Sequence, residues 1–254
     1  MVKVISFNVR CCGEGVEAPS FRAPSLCECI IKRRPDSIGF QEATPEWMKL
    51  LKKYLGDEYG FVGVAREDGD DDGEYGPVFY RKDKFTLKDS GTIWLSDTPD
   101  KPSKFPTSCC TRICTWATLE HKETGKAFSH INTHLDHVSE EARLQQVDVL
   151  LGKIAELEKY GPVACTGDFN VNENAPVYAK MTQTMKDVKY TAPVTDKCGT
   201  YQGYDDTGIE DISPIDFVFI KNGFEPLVYN VIRDKAKDGT FLSDHFGLYT
   251  ELGI

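Results

Sequence analysis

Cys165-Thr166-Gly167-Asp168-Phe169-Asn170-Val171 is the stretch on which the reading of this chain turns. Ahead of it, Pro162-Val163-Ala164 is apolar and bounded by Gly161-Pro162, which predicts a short buried strand. At the end of that strand the chain presents a carboxylate and an amide. Alternation along a strand places residues i and i+2 on one side, so Asp168 and Asn170 converge on one point. An ionised acceptor beside a neutral donor and acceptor suits holding a water molecule against an electron-poor centre. Gly, Asp and Asn are also common turn formers, so this stretch alone reads equally well as a turn.

Upstream of it, Ser139 caps a helix with Glu140 and Glu141 in the first turn and Leu144, Val147, Leu151 and Ile154 on one face. Residues 112–121 and 126–132 form a hairpin around Glu123-Thr124-Gly125, and Thr133-His134-Leu135-Asp136-His137 follows its second strand. The chain begins with an alternating strand, Val2 to Phe7, which Asn8-Val9-Arg10 ends. A helix over 20–34 stops before Pro35, and a second strand over 37–42 ends in Glu42. Thr44-Pro45-Glu46 supplies an N-cap, a first-position proline and a first-turn acid for a helix reaching Leu55. Strands are expected over 59–65, 78–81 and 85–95, with a proline-rich loop over 96–110. Beyond Asn170 the pattern predicts a helix over 175–185, loops over 187–211, and strands over 215–220, 224–232 and 246–252.

The two halves echo one another. Strand, Asn8, helix, strand, Glu42 in the first becomes strand, His134, helix, strand, Asp168 in the second. No linker or shift in composition separates them, so residues 1–254 read as a single α/β domain with two similar layered halves.

The chain has 254 residues, 40% of them apolar and 28% charged, the balance of an ordinary globular protein. No run approaches the ~18 apolar residues of a membrane span. Met1 to Phe7 is too short and too alternating for a signal peptide. Thirty basic residues against forty acidic give a formal charge of −10, so a generic nucleic-acid footprint is missing and long DNA or RNA is disfavoured as a partner. The nine cysteines have no paired C-x-x-C spacing for zinc and are too few for a disulfide scaffold. They read as reduced thiols in a cytoplasmic protein, with Cys165 in the core. Asp68, Asp70, Asp72 and Gly73 imitate the start of a calcium loop, but its twelfth position falls on Phe79, which leaves a solvated acidic loop.

Polar residues recur where apolar runs end: Asn8, Glu42, His134, Asp168 with Asn170, Asp216, and Asp244-His245. Taken singly, each reads as readily as a turn, a surface acid or a satisfied histidine. Strand ends gathered at one edge of a rigid sheet would form the floor of an active site.

Ser6-Phe7-Asn8-Val9-Arg10, Gly39-Phe40-Gln41-Glu42, Val78-Phe79-Tyr80-Arg81, Asn132-Thr133-His134-Leu135-Asp136-His137, Thr166-Gly167-Asp168-Phe169-Asn170, Ile215-Asp216-Phe217-Val218 and Ser243-Asp244-His245 occur in that order. Together they resemble the endonuclease/exonuclease/phosphatase superfamily, which includes deoxyribonuclease I, abasic-site endonucleases, sphingomyelinases, deadenylases and inositol-polyphosphate phosphatases. The resemblance implies a four-layer α/β/β/α sandwich. It implies a metal-dependent phosphoesterase in which Glu42 is the main metal ligand, with Asn8 and Asp244 near the same cation. Oxygen ligands in small number suit Mg2+, and Mn2+ can substitute. Asp168 takes the place of the acid that orients or deprotonates the water, with Asn170 beside it. Asp216 and His245 match a His-Asp pair and His134 a second phosphate-facing histidine. Arg112 is a candidate bidentate phosphate ligand, and Tyr80 a candidate substrate contact. Asn132 and Asp136 are candidate supports. Arg10 departs from the acid typical of abasic-site endonucleases, and no basic, aromatic insertion for bent duplex is present. The expectation is therefore hydrolysis of a small or soluble phosphate ester. A nuclease is the alternative, and a catalytically dead binding module a remoter one, since Glu42, Asp168 and His245 are all present.

Overall fold

The computed structural model describes residues 1–254. Strand β1 (Val2–Asn8) leads through helix α1 (Pro19–Arg33) to β2 (Ser37–Gln41), α2 (Pro45–Leu55), β3 (Tyr59–Val62) and β4 (Val78–Arg81). Then come β5 (Phe85–Trp94), β6 (Ile113–His121), β7 (Ala127–His134), α3 (Glu140–Leu157) and β8 (Val163–Asp168). The remainder is α4 (Pro176–Thr182), β9 (Lys186–Asp187), α5 (Val188–Thr191), β10 (Val194–Thr195), β11 (Asp216–Lys221), β12 (Glu225–Ile232) and β13 (Gly247–Gly253).

Two mixed sheets result, one ordered β10-β12-β13-β1-β2-β4-β3 and the other β5-β6-β7-β8-β11-β9. Three apolar clusters mark the interfaces between four layers. Along β1, Val2 and Val4 join a cluster shared with Ala117, Ala164 and Val218 of the facing sheet. Ile5, Phe7 and Val9, one residue out of phase, pack with Leu26 and Ile30 of α1 and Leu51 of α2. On the far side Cys165 and Phe219 pack against Val147, Leu150 and Ile154 of α3. Period-2 alternation in strands buried on both faces thus builds the α/β/β/α sandwich.

Caps fix where the helices begin. Thr44 accepts the Trp47 N–H before α2, and Ser139 accepts the Ala142 N–H before α3. Other expectations need correction. The helix expected over 175–185 ends at Thr182, whose hydroxyl bonds back to the carbonyls of Tyr178 and Ala179. Strand β3 stops at Val62 because Gly63 turns to φ 128. Leu144 and Leu151 are half-exposed on α3, whereas Arg143 and Gln146 are buried against the loop at Asp136. Residues 187–211 are not all loop, since β10 and the four-residue α5 lie among them.

The echo between halves is a repeated βαβ unit. β1 pairs parallel with β2 across α1, and β7 pairs parallel with β8 across α3. In each unit the paired strands finish level, Asn8 opposite Gln41 and His134 opposite Asp168.

Candidate active site

The inner faces of the sheets supply the floor of the site. On β1 the residues facing the other sheet run Val4, Ser6, Asn8; on β8 they run Ala164, Thr166, Asp168. Both rows change from apolar to polar toward the same edge and meet there. The Asn8 Nδ2 amide donates to Asp168 Oδ2 and to Glu42 Oε1, both at 2.9 Å.

Glu42 stands one residue past β2 at φ 60, in the left-handed region. That turn points its carboxylate back over the strand ends, where Oε2 accepts the Cys11 N–H at 2.8 Å. Burial pushes the Glu42 carboxyl up, but the donors from Asn8 and Cys11 and the charge on His245 outweigh it and hold Glu42 ionised. The Asn8 oxygen is occupied by the Arg10 N–H at 2.9 Å. Asn8 therefore turns its nitrogen to the two carboxylates and clamps Glu42.

Asp168 and Asp216 lie opposite one another on β8 and β11, two carboxylates on one face. His245 answers that charge: its Nδ1 is 2.9 Å from Asp216 Oδ2, and its Nε2 is 3.8 Å from Asp168 Oδ2. Burial alone pushes the imidazole down, but Asp216, Asp168 and Asp244 raise it to about 10, so His245 is an imidazolium at neutral pH. Asp168 moves the other way, since burial and then the charge of Asp216 push it up to about 7.

Asn170 is both the turn and the site residue. At φ 51 it lies beyond the end of β8, so strand alternation does not aim it. Asp168 Oδ1 accepts its N–H at 2.9 Å, and its Nδ2 donates to the Leu135 carbonyl at 3.0 Å and to His134 Nε2 at 2.9 Å. With Nε2 accepting, His134 carries its proton on Nδ1, which has no partner. Burial, then the nearby Arg112, holds His134 well below its usual range, so it is neutral.

Around this floor is a cavity of about 480 Å³ lined by Glu42, His134, Asp168, Asn170, Asp244 and His245, and by Arg10, Arg66 and Arg112. Arg112 is buried, yet its Nε and Nη1 have no partner; only Nη2 is used, donating to His137 Nδ1 at 3.2 Å. A buried guanidinium beside a polar cavity, with hydrogen-bonding capacity unused, suits an anion. Asp216 braces the floor through His245 without lining the cavity. Tyr80, by contrast, lies outside the site. Its ring packs over Gly60 and against the core between the sheets, because its place on β4 aims it inward. Asn132 and Asp136 are supports: Asn132 Oδ1 accepts from Gln41 at 2.7 Å and from Thr166 at 3.0 Å, and Asp136 accepts the Cys109, Val138 and Ser139 N–H groups, each at 2.8 Å.

Arg66, Glu74, Tyr201 and Arg10 also line the cavity, and no site role for them is legible in the sequence. Arg66 reaches the cavity from the acidic loop, paired to Glu74 at 2.6 Å. Tyr201 sits edge-on to His245, ring centroids 5.1 Å apart, and is 48% exposed. Arg10 Nη1 lies 2.7 Å from Asp244 Oδ2. Only Arg10, a base where an acid is usual, carried a signal; the other three come from loops whose course no local pattern fixes. The loop holding Tyr201 also braces the histidine motif, as Gln202 bonds the carbonyls of Ser243 and Asp244.

Residues 5–245 match the Endonuclease/Exonuclease/phosphatase family. The chain belongs to that family. An endonuclease/exonuclease/phosphatase protein of Bacteroides vulgatus is 35% identical and superposes with a TM-score of 0.92 over 100% of this chain and 98% of that one. A mannosyl-6-phosphatase of Bacteroides thetaiotaomicron is 30% identical, with a TM-score of 0.91 over 100% of both chains. Mouse tyrosyl-DNA phosphodiesterase 2 is 25% identical over 162 residues, 63% of this chain and 39% of that protein, so the chain spans well under half of that curated relative. The protein is thus a phosphoesterase of a family of metal-dependent hydrolases. No helix is long and apolar enough to cross a membrane.

The residues present fit a divalent cation of the kind this family uses. Ligand atoms of Glu42, His134 and Asp168 lie within 4.8 Å of one another. Glu42 is held ionised, and burial and the charge of Asp216 push Asp168 up, a strain that a hard cation relieves. Asp244 lines the same cavity, with its carboxylate paired to Arg10.

Proposed function

We propose that this protein is a Mg2+-dependent phosphatase acting on a small phosphorylated sugar. The observation that carries the reading is Arg112, a buried guanidinium with two unpartnered N–H groups, facing a cavity that also holds Asp168 and the His245 imidazolium. The cavity volume of about 480 Å³ is the size of a small-molecule site rather than a polymer groove. Tyr201, exposed at its mouth, offers an apolar ring face with a polar tip, which suits a sugar. The mannosyl-6-phosphatase relative supports the same substrate class.

Glu42, with Asp244 lining the same cavity, would hold the cation. Bound there, Mg2+ supplies Lewis-acid polarisation of a phosphoryl oxygen. Arg112 offers its charge and a spare N–H to a phosphate oxygen, and His245 donates from Nε2 to another as charge develops. Asp168, titrating near neutrality, takes the proton of the attacking water, and Asn170 holds that carboxylate and His134 in place. Asp216 keeps His245 protonated. As the bond from phosphorus to the sugar oxygen breaks, that oxygen takes a proton from solvent, Asp168 gives its own back to solvent, and free phosphate and the sugar leave with no covalent intermediate.

A panel of sugar monophosphates, glycosylated sugar phosphates, inositol phosphates, nucleotides and oligonucleotides, assayed with Mg2+ and with Mn2+, tests this. Phosphate release from sugar phosphates that barely changes with added salt, and that Asp168→Asn abolishes, is the expected result. Turnover confined to oligonucleotides, falling steeply with salt, would establish the nuclease alternative instead.

A further inference from the structure

At the rim of the cavity stands a second cluster that the hydrolysis above does not use. Cys109 Sγ is 3.6 Å from Cys110 Sγ and 3.5 Å from His137 Nδ1, and Cys110 and His137 both line the cavity. A tetrahedral zinc with bonds of about 2.3 Å to sulfur and about 2.0 Å to nitrogen has edges of about 3.8 Å between sulfurs and about 3.5 Å between sulfur and nitrogen. Both separations in the protein match those edges within the tolerance of a preformed site. All three ligand atoms lie within 4.8 Å of one another.

The imidazole is also in the state a metal requires. Arg112 can only donate, so the His137 Nδ1 that faces its Nη2 at 3.2 Å carries the lone pair. The two segments are tied together by one buried carboxylate. Asp136 accepts from Cys109 N and Ser108 Oγ on one side and from Val138 N and Ser139 N on the other, all at 2.8 Å. Cys11 and Cys12 form a second adjacent pair, with sulfurs 3.5 Å apart, but no imidazole joins them.

We propose that Cys109, Cys110 and His137 form a binding site for a thiophilic divalent cation, Zn2+, with the fourth position left to water. Two S–Zn bonds form as two thiol protons pass to solvent, and His137 gives its Nδ1 lone pair; the complex is neutral overall. That lone pair is the one Arg112 now uses, so Zn2+ and the Arg112 N–H compete for it. Zinc would thereby loosen Arg112 and raise KM for the phosphate ester. This last consequence rests on Arg112 gripping the substrate phosphate; the metal site does not.

The test is titration of the full chain, reduced and saturated with Mg2+, with Co2+ as a spectroscopic stand-in and then with Zn2+. The expected result is one equivalent of Co2+ with thiolate-to-cobalt charge-transfer absorption, displaced by Zn2+. That absorption should vanish in Cys109→Ser/Cys110→Ser and persist in Cys11→Ser/Cys12→Ser. Unchanged circular dichroism would verify the fold of the variant. Absence of thiolate absorption, or its loss only in the Cys11/Cys12 variant, overturns the site. In kinetics with excess Mg2+, Zn2+ should raise KM several-fold in the wild type and leave the Cys109→Ser/Cys110→Ser enzyme unchanged. Cobalt bound with no change in KM overturns the coupling through His137. Failure to hydrolyse any sugar phosphate would sink the substrate assignment while the cobalt spectrum is still read.

Discussion

Two side chains test the site most sharply. Asp216 holds His245 in its charged form, raising it to about 10 against the pull of burial. Asp216→Asn removes that support, so the imidazolium is lost at lower pH and the alkaline limb of the kcat/KM profile moves toward neutrality. At pH 8 we expect a loss of about 10²-fold or more, the scale of a misplaced proton in a polar site. A profile that keeps its alkaline limb would remove His245 from the proton inventory. At Arg112 the spare donors are Nε and Nη1, on two different edges of the planar guanidinium. Arg112→Lys keeps the charge and loses the planar array of donors, so KM should rise by about 10-fold or more without rescue by the retained charge. Equal KM values for the two enzymes would show that Arg112 is a structural base.

Among the elements, the parts written in local chemistry were legible. Thr44-Pro45-Glu46 and Ser139-Glu140-Glu141 mark helix starts because caps and first-turn acids act within one turn. Asp168 was legible as a site residue, and Asn170 was selected for an incomplete reason: alternation suggested one face, whereas a left-handed turn aims it. Arg66 and Tyr201 stayed hidden because loops deliver them, and loop paths are fixed by contacts distant in sequence. The seam between the sheets carries its own prediction. A Cβ at Gly39 would sit 2.4 Å from both Asn132 Oδ1 and Thr166 Oγ1, inside the polar network joining β2, β7 and β8. Gly39→Ala should therefore cost about 3 kcal/mol through overpacking and broken buried hydrogen bonds, read from the midpoint of urea unfolding. Wild-type stability in this variant would mean that the network has slack.

For the molecule as a whole, acid is the revealing perturbation. His130 lies between the sheets, with Nδ1 2.7 Å from Ser37 Oγ and Nε2 2.8 Å from Thr166 Oγ1. Burial pushes it down to about 3. A histidine held neutral contributes fully above its unfolded value of about 6.5 and loses that contribution as pH falls toward 3, up to about 5 kcal/mol. Asp168, raised to about 7, works in the opposite direction between neutrality and its unfolded value, so the comparison must be made between variants. Unfolding free energy followed from pH 7 to pH 4 should fall less steeply in His130→Gln than in the wild type. Parallel slopes would dismiss His130 as the acid trigger.

The Asn8 amide, bonded to Glu42 from one sheet and Asp168 from the other, has a consequence for how this enzyme can be stopped. Glu42 comes from the end of one βαβ unit and Asp168 from the end of the other, so the two meet only where the sheets meet. A ligand that wedged the two sheets apart by a single ångström at that edge would silence the protein without touching substrate, cation or phosphate seat. The hinge of such an inhibitor's action would be one carboxamide, which makes the strand ends, more than the pocket walls, the place to look for it.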